Sequence, residues 1–87
     1  MQGDKKELMS RLKRIEGQIR GIQKMIEEDR YCIDVLYQVS ASRAALKKIG
    51  LLMIRNHTRV CVSNAIKQEH GEEAIAELMQ LLDKFMD

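Results

Sequence analysis

From Leu8 onward the apolar side chains fall at Leu8, Leu12, Ile15, Ile19, Ile22 and Ile26, in alternating steps of four and three residues. That spacing follows one face of a helix, so residues from about 4 to 28 are expected to form one amphipathic helix. Gly17 and Gly21 stand inside it, each costing about 1 kcal/mol relative to alanine. They are either tolerated weak points or places where another backbone, protein or DNA, comes close.

The polar run Glu27-Glu28-Asp29-Arg30 breaks the stripe and reads as a short connection. A second helix is expected from about Cys32 to Lys67, with Ile33, Leu36, Val39, Leu46, Ile49, Met53, Val60 and Ile66 spread over much of its surface. It would be roughly 50 Å long, more than a core of this chain alone can cover. The spread of apolar positions therefore predicts packing against further copies. His70-Gly71 reads as a stop, with Gly71 suited to the left-handed conformation at a helix end. A third helix follows, its buried face marked by Ile75, Leu78, Leu82 and Phe85. The expected fold class is all-α, with three helices per protomer and residues 1–87 forming a single domain.

Composition agrees with that reading. The chain has no proline and no tryptophan, one Phe, two Tyr and six Met, a poor supply of the aromatic residues that sheets favour. Eighty-seven residues bury too little surface for generous stability, and chains this small often lean on oligomerisation or metal. The start of the chain, Met1 to Arg14, is polar and unlike a signal peptide. The longest apolar stretch, Ile49 to Ile54, is six residues, against roughly twenty for a membrane span. A cytoplasmic location without membrane attachment is expected, where the two cysteines stay reduced and available to metals.

Charge changes the picture because it is uneven. Residues 35–67 carry six basic and no acidic side chains, whereas residues 68–87 carry six acidic and one basic. The net charge of +2 thus conceals a basic body able to meet a polyanion.

His57 and Cys61 stand four residues apart, which on a helix puts both on one face with β-carbons about 5–6 Å apart. Cys32 lies twenty-five residues before His57, roughly 37 Å along the same helix, beyond reach within one chain. If two copies of the helix pair antiparallel, Cys32 of one meets His57 and Cys61 of the other when the two-fold lies near residues 44 to 47. The run Ser40-Ala41-Ser42-Arg43-Ala44-Ala45 overlaps that point and would let two helices cross closely. Two thiolates and one imidazole suit Cu(I); zinc favours a fourth ligand and hard cations favour oxygen. The alternative is two inert, buried cysteines and a surface histidine, and the residues alone leave both open.

The run Arg11-Leu12-Lys13-Arg14-Ile15-Glu16-Gly17-Gln18-Ile19-Arg20-Gly21-Ile22, then Tyr31-Cys32, Gln38 to Leu46 and His57-x3-Cys61, resembles in order and spacing the copper-sensitive operon repressor family over nearly the whole chain. The resemblance implies three-helix protomers that form antiparallel dimers and then a flat tetramer, without a helix-turn-helix. It implies Cys32, His57 and Cys61 as ligands of Cu(I), with Tyr31 and Glu77 as outer-shell residues coupling metal binding to DNA release. Without the resemblance, Tyr31 would read as packing at a helix start and Glu77 as a solvated face. Nickel/cobalt sensors of this family use a histidine near the N-terminus and a second one in place of Cys61; no histidine here precedes His57. Sulfide sensors lack the histidine, and formaldehyde sensors generally lack the last cysteine. One departure is Arg55-Asn56, where copper sensors often carry acidic residues.

The resemblance also implies operator DNA as partner, with Arg11 and Lys48 as contacts, followed by Arg14 and Lys47. Their physical role would be phosphate neutralisation with release of counterions. No aromatic side chain interleaves these basic stretches, which disfavours single-stranded targets. The expected function is repression by the metal-free tetramer and release on Cu(I), derepressing copper-export genes. Two rivals are a thiol or persulfide sensor on the same scaffold and a small helical enzyme of chorismate mutase type. The first has no need of His57; the second has no use for Cys32, His57 or Cys61.

Overall fold

The computed structural model describes residues 2–86; the side chains of residues 2–4, 57–59, 61, 62 and 86 lie outside that description. It contains three helices in chain order, α1 (Gln2–Glu27), α2 (Cys32–Lys67) and α3 (Gly71–Met86), and no strand among the described residues. The fold class is all-α, and the helix limits fall close to those expected from periodicity.

Both connections are built the same way. Asp29 and Glu69 adopt left-handed backbone conformations, with φ of 53° and 65°. After α1, the amide of Asp29 donates to the Ile26 carbonyl at 3.1 Å and that of Arg30 to Met25 at 2.9 Å. After α2, Glu69 donates to Ile66 at 3.1 Å and His70 to Ala65 at 2.7 Å. This paired pattern is the Schellman motif, which satisfies carbonyls a helix end would otherwise leave open. The next helix begins at once: Tyr31 accepts from the Val35 amide and His70 from that of Ala74.

Gly71 therefore does not take the left-handed position expected of it; Glu69 does, and among the described residues no glycine has positive φ. Space is what position 71 requires, since a β-carbon there would lie 2.7 Å from Cγ1 of Ile66.

Residues 2–49 form one compact unit and residues 50–87 the other. In the first, α1 packs on the opening half of α2. Leu8, Ile15 and Ile49 are its buried hydrophobic residues, and Ser42 is buried with them. The α1 stripe is not covered along its length: Ile19 and Ile26 are 46% and 61% exposed. Coverage shifts instead to Ile22 and Met25, beside an open cleft of about 360 Å³ reaching Gln38 of α2.

In the second unit, α3 packs on the closing half of α2. Phe85 lies against Gly50, where a β-carbon would overlap Cε1 and Cζ of the ring. Ala74, Leu78, Leu82 and Phe85 are half-buried. Ile75, expected on the same face, is 47% exposed, and Met79 is 57% exposed. None of the described side chains of residues 50–85 is fully buried. Among the described residues no helix is long and apolar enough to cross a membrane.

Candidate metal centre and nucleic-acid interface

The residues expected to hold a metal all belong to α2. Cys32 is its first residue, set there by the helix stop at Asp29 and the turn through Tyr31. Its thiol is exposed and free of any disulfide. Positions 57 and 61 lie toward the other end of the same helix; the side chains of His57 and Cys61 are outside the described residues. What the backbone supplies is register, since residues four apart on a helix share a face. Among the described residues no three His, Cys, Asp or Glu side chains are gathered as a metal site would need.

The heptad positions that follow Cys32 on α2 carry Leu36, Val39, Leu46, Met53 and Val60 and pass through position 57, with Arg43 and Gly50 interrupting them. Leu36, Val39, Leu46 and Val60 are 44–59% exposed.

Of the two residues expected in an outer shell, Tyr31 stands just before α2 and is 66% exposed. Glu77 is exposed on α3.

The residues expected at DNA, Arg11, Arg14, Lys47 and Lys48, all fall in the unit of residues 2–49. Arg14, Lys47 and Lys48 are exposed. Arg11 is only partly so, and its Nη2 and Nε both lie 3.3 Å from Oε1 of Glu7, one turn earlier. Glu7 was not singled out from sequence, although Glu four residues before Arg is the spacing that forms such pairs. Any contact of Arg11 with phosphate competes with that carboxylate.

Residues 4–84 match the family model described as metal-sensitive transcriptional repressor. The chain belongs to that family. Among relatives of this repressor family, it is 51% identical over 82 residues to the copper-sensing transcriptional repressor CsoR of Bacillus subtilis, covering 94% of this chain and 81% of that one. It is 40% identical over 75 residues to CsoR of Mycobacterium tuberculosis, covering 86% of this chain and 63% of that relative, a little under two thirds of its length. Two solved structures are similar. One is the copper-sensing repressor CsoR with Cu(I) from Geobacillus thermodenitrificans, with a TM-score of 0.86 and 45% identity, covering 100% of this chain and 91% of that one. The other is the nickel-responsive transcriptional regulator InrS, with a TM-score of 0.74 and 41% identity, covering 93% and 91%. Membership of a repressor family displaces the enzymatic reading.

Proposed function

We propose that this chain is a Cu(I)-responsive repressor that holds operator DNA in its metal-free form and releases it on binding Cu(I), so that copper-export genes are derepressed in the cytoplasm. The observation that carries the proposal is the presence of Cys32, His57 and Cys61 on one helix of a chain whose fold matches, over its whole length, that of a copper-sensing repressor solved with Cu(I).

Cys32, His57 and Cys61 would hold the ion, which supplies a soft centre able to tie two thiolates and an imidazole together. The accessible thiol of Cys32 at the start of α2 and the exposed apolar row that begins there favour a site completed by a second protomer. In this reading residues 1–87 act as one metal-sensing, DNA-binding domain that assembles as a homodimer through α2 and then as a homotetramer. Tyr31 and Glu77 form the outer shell that orients His57. Arg11, Arg14, Lys47 and Lys48 neutralise phosphates, repeated across the assembly, while groove shape supplies much of the sequence preference. Moving the protein from mostly bound to mostly free DNA takes several kcal/mol of differential affinity, roughly 5 for a complete switch.

The likeness to a nickel-responsive regulator supports a second reading in which nickel is the signal. The donor set disfavours it: no histidine precedes His57, and Cys61 offers sulfur to a softer ion.

The test is an anaerobic Cu(I) titration of the reduced protein against a chromophoric chelator. Tight binding of one Cu(I) per protomer, lost in His57→Ala or Cys61→Ala, is expected. Weak binding with intact thiols would overturn the copper reading in favour of a thiol or persulfide sensor, and preference for Ni(II) would favour the second reading.

A further inference from the structure

Phe85, the one phenylalanine of the chain, sets its ring edge against Gly50 of α2, in the space a β-carbon there would take. The positions one turn away on that side of α2 are Leu46, Lys47, Met53 and Ile54, all with long side chains. Gly50 is therefore the one hollow within a turn that admits a ring. The rest of the packed face of α3, Ala74, Leu78 and Leu82, is aliphatic and only half-buried. Such a ridge can slide; a ring seated in a hollow fixes where along α2 the helix sits, as knobs in holes do.

At the other end of the pair, a β-carbon on Gly71 would lie 2.7 Å from Cγ1 of Ile66. The two contacts stand sixteen residues apart on α2 and fourteen apart on α3, roughly 24 and 21 Å. Between them the helices run antiparallel in nearly constant register. Position 57, seven residues beyond Gly50, thus comes level with residues 78 and 79. Glu77 is their neighbour, exposed on α3. A slip of α3 by one residue would move Glu77 about 1.5 Å along α2, enough to break a hydrogen bond.

We infer that Phe85, seated on Gly50, is a positioning residue for the copper response, because it holds α3 in the register that keeps Glu77 level with position 57. The inference rests on the copper-sensing reading above, in which Glu77 orients His57, and adds what keeps Glu77 in place.

The experiment measures duplex affinity of the full-length protein by anisotropy, with and without Cu(I), in Phe85→Ala and in the pair Gly50→Ala/Phe85→Leu. In the pair the hollow is filled from α2 and the ring is gone. Both variants are expected to bind one Cu(I) per protomer and to hold duplex in the metal-free form about as the parent does. The copper-induced loss of duplex affinity is expected to shrink roughly ten-fold in each. A residue that only packs would lower the melting temperature and leave that loss unchanged, and this result would overturn the inference. If Phe85→Ala loses helical signal, the pair decides alone, with parental release overturning the inference. The underlying reading fails separately, and takes the inference with it, if the unaltered protein keeps its DNA when copper is added or if Glu77→Ala releases normally.

Discussion

Ser42 on α2 donates a hydrogen bond from Oγ to Oε1 of Gln18 on α1 at 3.1 Å, and is itself 7% exposed. The middle of the small-residue run thus faces the chain's own first helix. Ala45, one turn on, is half-buried, while Ser40, Ala41 and Ala44 are exposed. The run divides its small side chains between packing on α1 and the face left for a partner.

Substitution at Ser42 separates the hydrogen bond from the space. Ser42→Ala loses a bond of about 1 kcal/mol but gains about half of that in helix propensity, so a loss under 1 kcal/mol is expected. Ser42→Leu forces a larger group against α1 and should cost about 1–3 kcal/mol more. Urea midpoints at one fixed protein concentration measure both, because assembly couples stability to concentration. A tolerated leucine would mean that α1 does not cover this position.

Gly50→Ala is expected to destabilise residues 50–87 despite alanine's better helix propensity. Its β-carbon would occupy the place of the Phe85 ring edge, an overpacking that costs about 1–3 kcal/mol. Phe85→Leu in the same chain should recover part of the loss, giving a coupling of about 0.5–3 kcal/mol in a double-mutant cycle. Additive effects would place the ring elsewhere.

These two contacts show what periodicity can and cannot convey. The steps of four and three in α1 and the polar break at Glu27–Arg30 were enough to locate helices, because helix period and helix stops are local properties. They could not say which apolar residues the same chain covers. Ile15 and Ile19 are equivalent in the stripe, yet one is 4% and the other 46% exposed, a difference set by where α2 lies. The spacing of His57 and Cys61 is legible because a shared face for i and i+4 residues is also local, whereas a place for Cys32 beside them depends on a second chain. The pairing of Glu7 with Arg11 follows the same i and i+4 rule.

The left-handed residues at the two connections offer a stabilising change. A non-glycine residue in this region carries roughly 1–2 kcal/mol of strain, partly offset because glycine also frees the unfolded chain. Glu69→Gly is expected to gain about 0.5–1 kcal/mol, or a few degrees in melting temperature. Asp29→Gly should gain less, since aspartate visits this conformation more readily. Thermal melts rank the two, and a loss at Glu69 would argue against the Schellman geometry there.

Metal binding and DNA release should come apart at two residues. Cys32→Ala removes a proposed ligand from the start of α2, far in sequence from Arg11, Arg14, Lys47 and Lys48, so duplex binding is expected to persist while its copper response disappears. Glu77→Ala leaves every proposed ligand in place, so one Cu(I) per protomer should still bind nearly as tightly. Because linkage makes coupling reciprocal, the Glu77 variant should release DNA poorly when copper is added, and DNA should in turn weaken its copper affinity less than in the parent. Anisotropy titrations with and without Cu(I), set beside chelator competition with and without duplex, measure both sides of that cycle. Normal release by Glu77→Ala would confine that residue to a solvated helix face. Loss of DNA binding in Cys32→Ala would mean that the start of α2 also shapes the DNA surface, and that sensing and binding are not divided between separate residues.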